Sequence, residues 1–207
     1  MKVVVFGASG KVGRLLVSEL LKNDYQVTAF VHSHNPFQKH PNLVIKRGDI
    51  YSASQVDEAI KDQDLVMSSL GSWGTKKQDV VSAGMNNIIN AMKKQRVKRV
   101  VGLTGIALWR DDNPNFLDKF NRSLLMFLAP KILKDGEALI EMLSTSGLDW
   151  TVIRSPVMTS SKSRDYRLSN KLAGLFATIP RLAVAQAMFD QIKDDSFIEQ
   201  APVIHKY

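Results

Sequence analysis

Val3-Val4-Val5-Phe6-Gly7-Ala8-Ser9-Gly10-Lys11-Val12-Gly13-Arg14-Leu15-Leu16 is the stretch that decides the fold of this 207-residue chain. Val3–Phe6 is short, β-branched and ends at a glycine, the pattern of a strand buried on both faces in a parallel sheet. From Lys11 onward Val12, Leu15, Leu16 and Leu20 form an apolar stripe, so the spacing predicts a helix over Lys11–Leu21. Between strand and helix lie three glycines spaced G-x-x-G-x-x-G. Glycines permit a tight turn and a close backbone approach, and a helix N-terminus offers free N–H groups. Gly7, Ser9, Gly10, Lys11, Val12 and Gly13 thus have the chemistry to cradle a pyrophosphate, and Gly13 lets the helix pack closely on the sheet. The bland alternative is a glycine turn that holds nothing. The spacing departs from G-x-G-x-x-G, but strand before and helix after are the context that motif requires. No Gly-Lys-Ser/Thr follows, which disfavours a mononucleotide P-loop.

The same alternation continues outward. Gln26–Val31 and Leu43–Lys46 read as strands, Ser54–Ile60 as a short helix with Ser52 as candidate cap, and Asp64–Ser68 as a fourth strand. Gln78–Lys94 is a long helix with Val81, Met85, Ile88, Ile89 and Met92 on one side. Lys98–Leu103 is a fifth strand, Asn115–Leu128 and Lys131–Thr145 are helical by pattern, and Trp150–Ile153 is a sixth strand. Pro180–Ile192 reads as a helix, and Phe197–Ile204 as short strand material. Strands alternating with helices imply an α/β fold: a Rossmann-type, doubly wound parallel sheet with helices on both faces. The expected organisation is one domain over residues 1–207, with 155–207 as its C-terminal, substrate-side elaboration.

Composition narrows the classes. Hydrophobic residues make up 44% and charged residues 23%, ordinary values for a globular chain. There is no cysteine, so a disulfide framework, a thiolate metal site and a cysteine nucleophile are excluded. No apolar run approaches the roughly 20 residues that span a bilayer. Met1–Phe6 stops at glycine without a cleavage-type tail, so the expected location is the cytoplasm, with no membrane partner. The net charge of +8 raises the question of nucleic acid. Its densest run, Lys93-Lys94-Gln95-Arg96-Val97-Lys98-Arg99, sits where a helix C-terminus favours cations, and no recognition motif accompanies it. Nucleic acid is not an expected partner. His32, His34, His40 and His205 show no metal-ligand spacing, and no metal is expected.

After the second strand, an NAD-selective site usually carries an acid for the ribose 2′-hydroxyl. Here the chain reads Val31-His32-Ser33-His34-Asn35. His32, Ser33 and nearby Arg14 and Lys39 can receive a 2′-phosphate that an acid would repel, which points to NADP in preference to NAD. After the third strand, Asp49 is placed either to accept from an adenine amino group or to cap a helix, with Ile50 beside it. Ser69-Leu70-Gly71-Ser72 follows the fourth strand and would pass beneath a cofactor, with Leu70 and Gly71 against it.

Gly7–Gly13, Gly48-Asp49, Ser69–Ser72 and Ser146-Gly147-Leu148-Asp149-Trp150-Thr151-Val152-Ile153-Arg154 together resemble the atypical short-chain dehydrogenases. These are the NAD(P)H-binding proteins grouped with biliverdin reductase B (flavin reductase) and the NmrA-like regulators. The resemblance covers about residues 1–156, and the ending Ile204-His205-Lys206-Tyr207 is similar to the biliverdin reductase B tail. It implies strand order 3-2-1-4-5-6 and places Ser155, Pro156 and Val157 near the nicotinamide ring. It assigns Lys134, in a Lys-x-x-Glu with Glu137, to the ribose, although Lys and Glu at i and i+3 also form ordinary surface pairs. Typical members combine Ser, Tyr and Lys. Here Pro130 stands four residues before Lys134 where the Tyr would be, and Thr104-Gly105 ends the fifth strand where relatives often have two serines. Thr104 and Lys134 are the candidate catalytic residues. Asp111 and Asp112 are either pocket acids or a solvated turn. Trp73 and Trp109 follow strands at the ligand edge and either stack on a flat substrate or pack their own loops. Two functions follow: an NADPH-dependent reductase of a small planar acceptor such as a flavin or quinone, or a catalytically weak redox sensor acting through a protein partner. The sequence leaves the oligomeric state open, a monomer included.

Overall fold

Short apolar runs buried on both faces in the central strands, alternating with helices that bury one side, produce a layered α/β arrangement. The computed structural model describes residues 1–72, 77–105, 116, 119, 123, 126–127, 130–174 and 176–207. The strands are β1 (Lys2–Phe6), β2 (Gln26–Val31), β3 (Leu43–Arg47), β4 (Leu65–Ser68), β5 (Arg99–Gly105), β6 (Asp149–Ser155), β7 (Val157–Thr159), β8 (Arg167–Ser169), β9 (Thr178–Pro180) and β10 (Val203–His205). The helices among the described residues are α1 (Lys11–Lys22), α2 (Ala53–Ile60), α3 (Val80–Gln95), α4 (Pro130–Ser144) and α5 (Arg181–Asp190).

The main sheet runs β3-β2-β1-β4-β5-β6-β10-β8. From β3 to β10 every pairing is parallel, and β8 closes the edge antiparallel to β10. The expected order over the first six strands is therefore present, and the chain adds two further strands outside β6. The C-terminal strand is Val203–His205 alone; the rest of Phe197–Ile204 turns, touching the sheet through the isolated bridge Thr151↔Gln200. A separate parallel pair, β7 with β9, was not legible in the sequence. The helical pattern at Asn115–Leu128 falls mostly outside the described residues.

Two cores form, one on each sheet face. β1 shows the division: Val4 and Phe6 face the core covered by α2, α3 and α4, and Val3 and Val5 face the one covered by α1 and α5. Helix α1 buries Val12, Leu16, Val17 and Leu20, each worth about 1.5–3 kcal/mol of removed apolar surface. It ends in a Schellman arrangement. The Tyr25 N–H returns to the Leu20 carbonyl (3.1 Å) and that of Asp24, at φ 59°, to the Leu21 carbonyl (3.2 Å). Helix α2 starts at Ser52, but the hydroxyl makes no cap bond and instead lies 3.3 Å from the Ser54 hydroxyl. Because all the central strands run parallel, their carboxyl ends and the N-termini of the following helices share one edge, where the candidate site residues of the loops gather.

Candidate functional site

At that edge the three loop glycines have different reasons for being glycine. Gly7 has φ +73°, and a Cβ on it would fall 2.7 Å from the Ser69 carbonyl carbon and 2.8 Å from the Leu70 nitrogen. A Cβ on Gly13 would fall 2.2 Å from the Gly7 carbonyl oxygen and 2.8 Å from both the Ala8 Cα and the Ser69 Oγ. Both are demanded by packing of the loop and α1 against β1 and the end of β4. Gly10 is not. Its backbone is extended (φ −68°, ψ 168°), and an added Cβ would meet only the Gly7 carbonyl, at 3.1 Å. Gly71 after β4 and Gly105 at the end of β5 are exposed, and among the described residues a Cβ on either meets nothing within 4 Å.

Gly10 is the N-cap of α1. No side chain caps it, and the first turn carries no acid. The Gly10 N–H bonds to the Gly7 carbonyl (2.9 Å), and the Gly10 carbonyl accepts the first helical bond from Arg14 (3.0 Å). The N–H groups of the first turn are left for an external acceptor, and the helix dipole favours an anion there. Arg14 and Lys11 are exposed on that turn, while Val12 anchors it from the buried side. Ser9 is half-buried in the loop.

Helix α3 contrasts with this. Its N-cap residue Asp79 makes no cap bond. Instead the carboxylate of Asp135, from the first turns of α4, accepts from the Ser82 N–H at 2.8 Å and the Val81 N–H at 3.2 Å. It also accepts from the Ser72 hydroxyl. Asp135 and Ser72 are both buried. Asp79 instead accepts from the Tyr51 phenol at 2.7 Å, and the Lys77 ammonium lies 3.8 Å from the centre of that ring. Burial, then the bond to Asp79, pushes the Tyr51 pKa above its ordinary value. Sequence reasoning missed Asp135; its one signal was an acid beside Lys134 in an otherwise apolar register.

The remaining predicted residues fall as follows. His32 and Ser33 are exposed just past the carboxyl end of β2. Asp49, half-buried after β3, accepts from the Tyr51 N–H at 3.0 Å, so its carboxylate closes a turn and does not cap α2. Buried Ile50 packs beneath Gly84 of α3, where a Cβ would fall 2.6 Å from it. Leu70 is half-buried in the same place. Thr104 is 8% exposed on β5 and sits in register with Arg154 of β6; among the described residues its hydroxyl forms no hydrogen bond. Lys134 is exposed on the first turns of α4 and forms no ion pair among the described residues, so the surface pair with Glu137 is not made. Ser155, the last residue of β6, and Pro156 after it are buried, with the Ser155 hydroxyl donating to the Pro156 carbonyl at 2.9 Å. Trp73, Trp109, Asp111 and Asp112 lie outside the described residues. A groove of about 450 Å³ lies elsewhere, along the β2–β3 connection, where Phe37, Leu43 and Ile45 stand in for a crossover helix. Of the residues singled out for the site, only Lys39 lines it.

The family model described as NAD(P)H-binding matches residues 7–195. The chain belongs to the NAD(P)H-binding family. The NAD(P)H-binding assignment that the resemblance implied is therefore upheld, and the Gly7–Gly13 loop opens the matched region. A relative is the UPF0659 protein YMR090W of Saccharomyces cerevisiae, 34% identical over 116 residues, 51% of each chain. The chain thus aligns with about half the length of that relative. Among solved structures, a short-chain dehydrogenase/reductase (wide type) from Veillonella parvula in complex with NADP superposes with TM-score 0.78. It is 18% identical, and the match covers 99% of this chain and 94% of that one. ChuY, an anaerobilin reductase from Escherichia coli O157:H7, superposes with TM-score 0.79 at 17% identity, covering 100% of this chain and 97% of its own. These two likenesses establish a shared Rossmann fold.

Proposed function

We propose that this protein is an NADPH-dependent reductase of a small planar acceptor, a flavin or quinone. The observation that carries the reading is the carboxyl edge itself. There an uncapped α1 N-terminus sits behind Gly10, a glycine that packing does not demand, while Pro130, not Tyr, opens the helix that carries Lys134. A bound NADPH supplies a hydride. The chain's own part is to hold it: α1 N–H groups and Lys11 on the pyrophosphate, Ile50 and Asp49 at the adenine, Leu70 and Gly71 under the dinucleotide, Lys134 on the nicotinamide-side ribose, Ser155 and Pro156 beside the ring. The absence of an acid after β2, with His32 and Ser33 exposed there and Arg14 exposed on α1, favours the 2′-phosphate of NADP.

Pro130 selects the acceptor. An unactivated ketone needs a proton donor at its developing alkoxide, and losing one costs a factor of about 10² to 10⁴. Pro130 has no proton to give, and Thr104 is a weak acid. A flavin or quinone accepts hydride into a delocalised ring and takes its proton from water. The protein then acts mainly through orientation, with Trp73 and Trp109 as candidate stacking partners. The test is NADPH oxidation by the purified protein over a panel of flavins, quinones, simple ketones and secondary alcohols. Turnover of planar acceptors with little ketone or alcohol activity is expected; efficient turnover of a simple secondary alcohol refutes the reading. Tight NADPH binding without turnover of any acceptor supports the second reading, a dinucleotide sensor with a protein partner, which the missing Tyr also favours.

A further inference from the structure

Asp135 is a buried carboxylate with no part in the reading above. It joins three pieces of chain: Ser72 in the loop after β4, the N–H groups of Val81 and Ser82 in the first turn of α3, and α4, where Lys134 is its neighbour. A helix normally caps itself, yet α3 leaves its own Asp79 to Tyr51 and takes its cap from α4. The arrangement has two effects. It fills the α3 N-terminus at the carboxyl edge with the Asp135 carboxylate, whereas the α1 N-terminus is left open to a ligand phosphate. It also fixes the height of the first turns of α4, and with them Lys134, relative to Gly71 and Ser72. Among the described residues, helices α3 and α4 otherwise meet through the apolar side chains of their shared core, which resist separation but not sliding.

We propose that Asp135 is a positioning residue that sets Lys134 over the nicotinamide-side half of the dinucleotide, clamping the loop after β4 and α3 to α4. The proposal rests on the assignment of Lys134 to the ribose. It predicts an asymmetry. The adenine half is held by α1 and the ends of β2 and β3, none of which Asp135 touches, so its loss should be felt only by the other half.

The experiment compares calorimetric affinities for whole NADPH and for adenosine 2′,5′-bisphosphate, its adenine half, in wild type, Asp135→Asn, Lys134→Ala and the double variant. The amide keeps the volume but turns one acceptor edge into a donor that faces an N–H or hydroxyl. For Asp135→Asn, NADPH affinity should fall about tenfold, one strong hydrogen bond's worth, with the bisphosphate within about twofold. Lys134→Ala should lower NADPH affinity in wild type but add little in the Asp135→Asn background. Equal losses for both ligands, or independent multiplication of the two substitutions, overturns the proposal and leaves Asp135 as a structural cap. If Lys134→Ala alone leaves NADPH affinity unchanged, the assignment of Lys134 fails and the proposal falls with it. Should Asp135→Asn not fold, Ser72→Ala loosens the clamp from the loop side while α3 stays capped. The same asymmetry, about threefold, is expected, and a symmetric loss overturns the proposal.

Discussion

Gly10→Ala separates ligand binding from folding, because the fold barely needs that glycine. Its φ of −68° is open to any residue, and an added Cβ meets only the Gly7 carbonyl at 3.1 Å, which a shift of a few tenths of an ångström relieves. The main cost is that Ala is a poorer N-cap than Gly, about 0.5–1 kcal/mol. For a domain of this size that lowers Tm by about 1–4 °C. The cost to binding is larger. A methyl group at the N-cap stands where a pyrophosphate must come within about 2.9 Å of the first-turn N–H groups. Two charge-assisted bonds lost at about 1.5–3 kcal/mol each weaken binding by roughly 10² to 10⁴. The expected result is a folded variant with a near-native melting curve and NADPH affinity reduced at least a hundredfold by calorimetry. Wild-type affinity within threefold, in a protein shown to be folded, refutes the phosphate-loop assignment. Gly13 is the control. At sequence level Gly13→Val looks compatible with folding. The structure puts that Cβ 2.2 Å from the Gly7 carbonyl, so the backbone itself must move, and even Gly13→Ala should cost several kcal/mol, an overpacking penalty.

His32→Asp places a carboxylate at the carboxyl end of β2; the NADPH-to-NADH affinity ratio should narrow or invert, and a wild type that prefers NADH contradicts the cofactor choice. Tyr166→Phe removes a 2.5 Å hydrogen bond to Asp190, which Gln186 also contacts at 2.9 Å. The expected loss is about 1–2 kcal/mol in urea unfolding, with NADPH affinity unchanged. His205, half-buried in β10 with its Nε2 3.0 Å from the Lys171 carbonyl, has its pKa lowered chiefly by burial. The native state therefore binds its proton less readily than the unfolded chain. This contribution to stability is present above about pH 6.5 and is lost as the pH falls through the lowered native value. Comparing Tm across pH 5–8 for wild type and His205→Gln should show the wild type losing more stability on the acid side; parallel curves count against it.

How much of this was legible in the sequence depended on where the information resides. The start of α1 and the strand–loop–helix unit came through because a strand, a glycine turn and an amphipathic helix are each encoded locally, whereas the six-strand order was an expectation of the family resemblance. The added edge was legible only as strand material somewhere in Phe197–Ile204: Val203–His205 is a three-residue strand, placed by pairing with β6 and β8, and so short a run carries no period to fix its bounds. Asp49 shows a subtler limit. The sequence left it between adenine partner and helix cap, and the structure gives its carboxylate a turn around Tyr51, a local Asx geometry that propensity cannot tell from a cap.

Asp135 was missed for a different reason. In the sequence it is one charged residue among Lys131, Lys134, Glu137 and Glu141, and its place in the apolar register of Leu133, Leu139 and Ile140 is a weak signal beside the Lys-x-x-Glu of Lys134 and Glu137. Its role exists only where α3 and α4 meet, since a carboxylate 5% exposed is tolerable only with donors around it, and those donors lie 53 to 63 residues away. The same reasoning runs in the opposite direction for glycine. A sequence shows three equivalent glycines in the loop, whereas the surroundings separate two that the fold requires from one that it does not. A residue type that costs stability, present where packing does not ask for it, points to something outside the chain. At this edge Gly10, Gly71 and Gly105 share that property. They lie at the carboxyl ends of β1, β4 and β5, neighbouring strands of one sheet, along which an extended dinucleotide would lie.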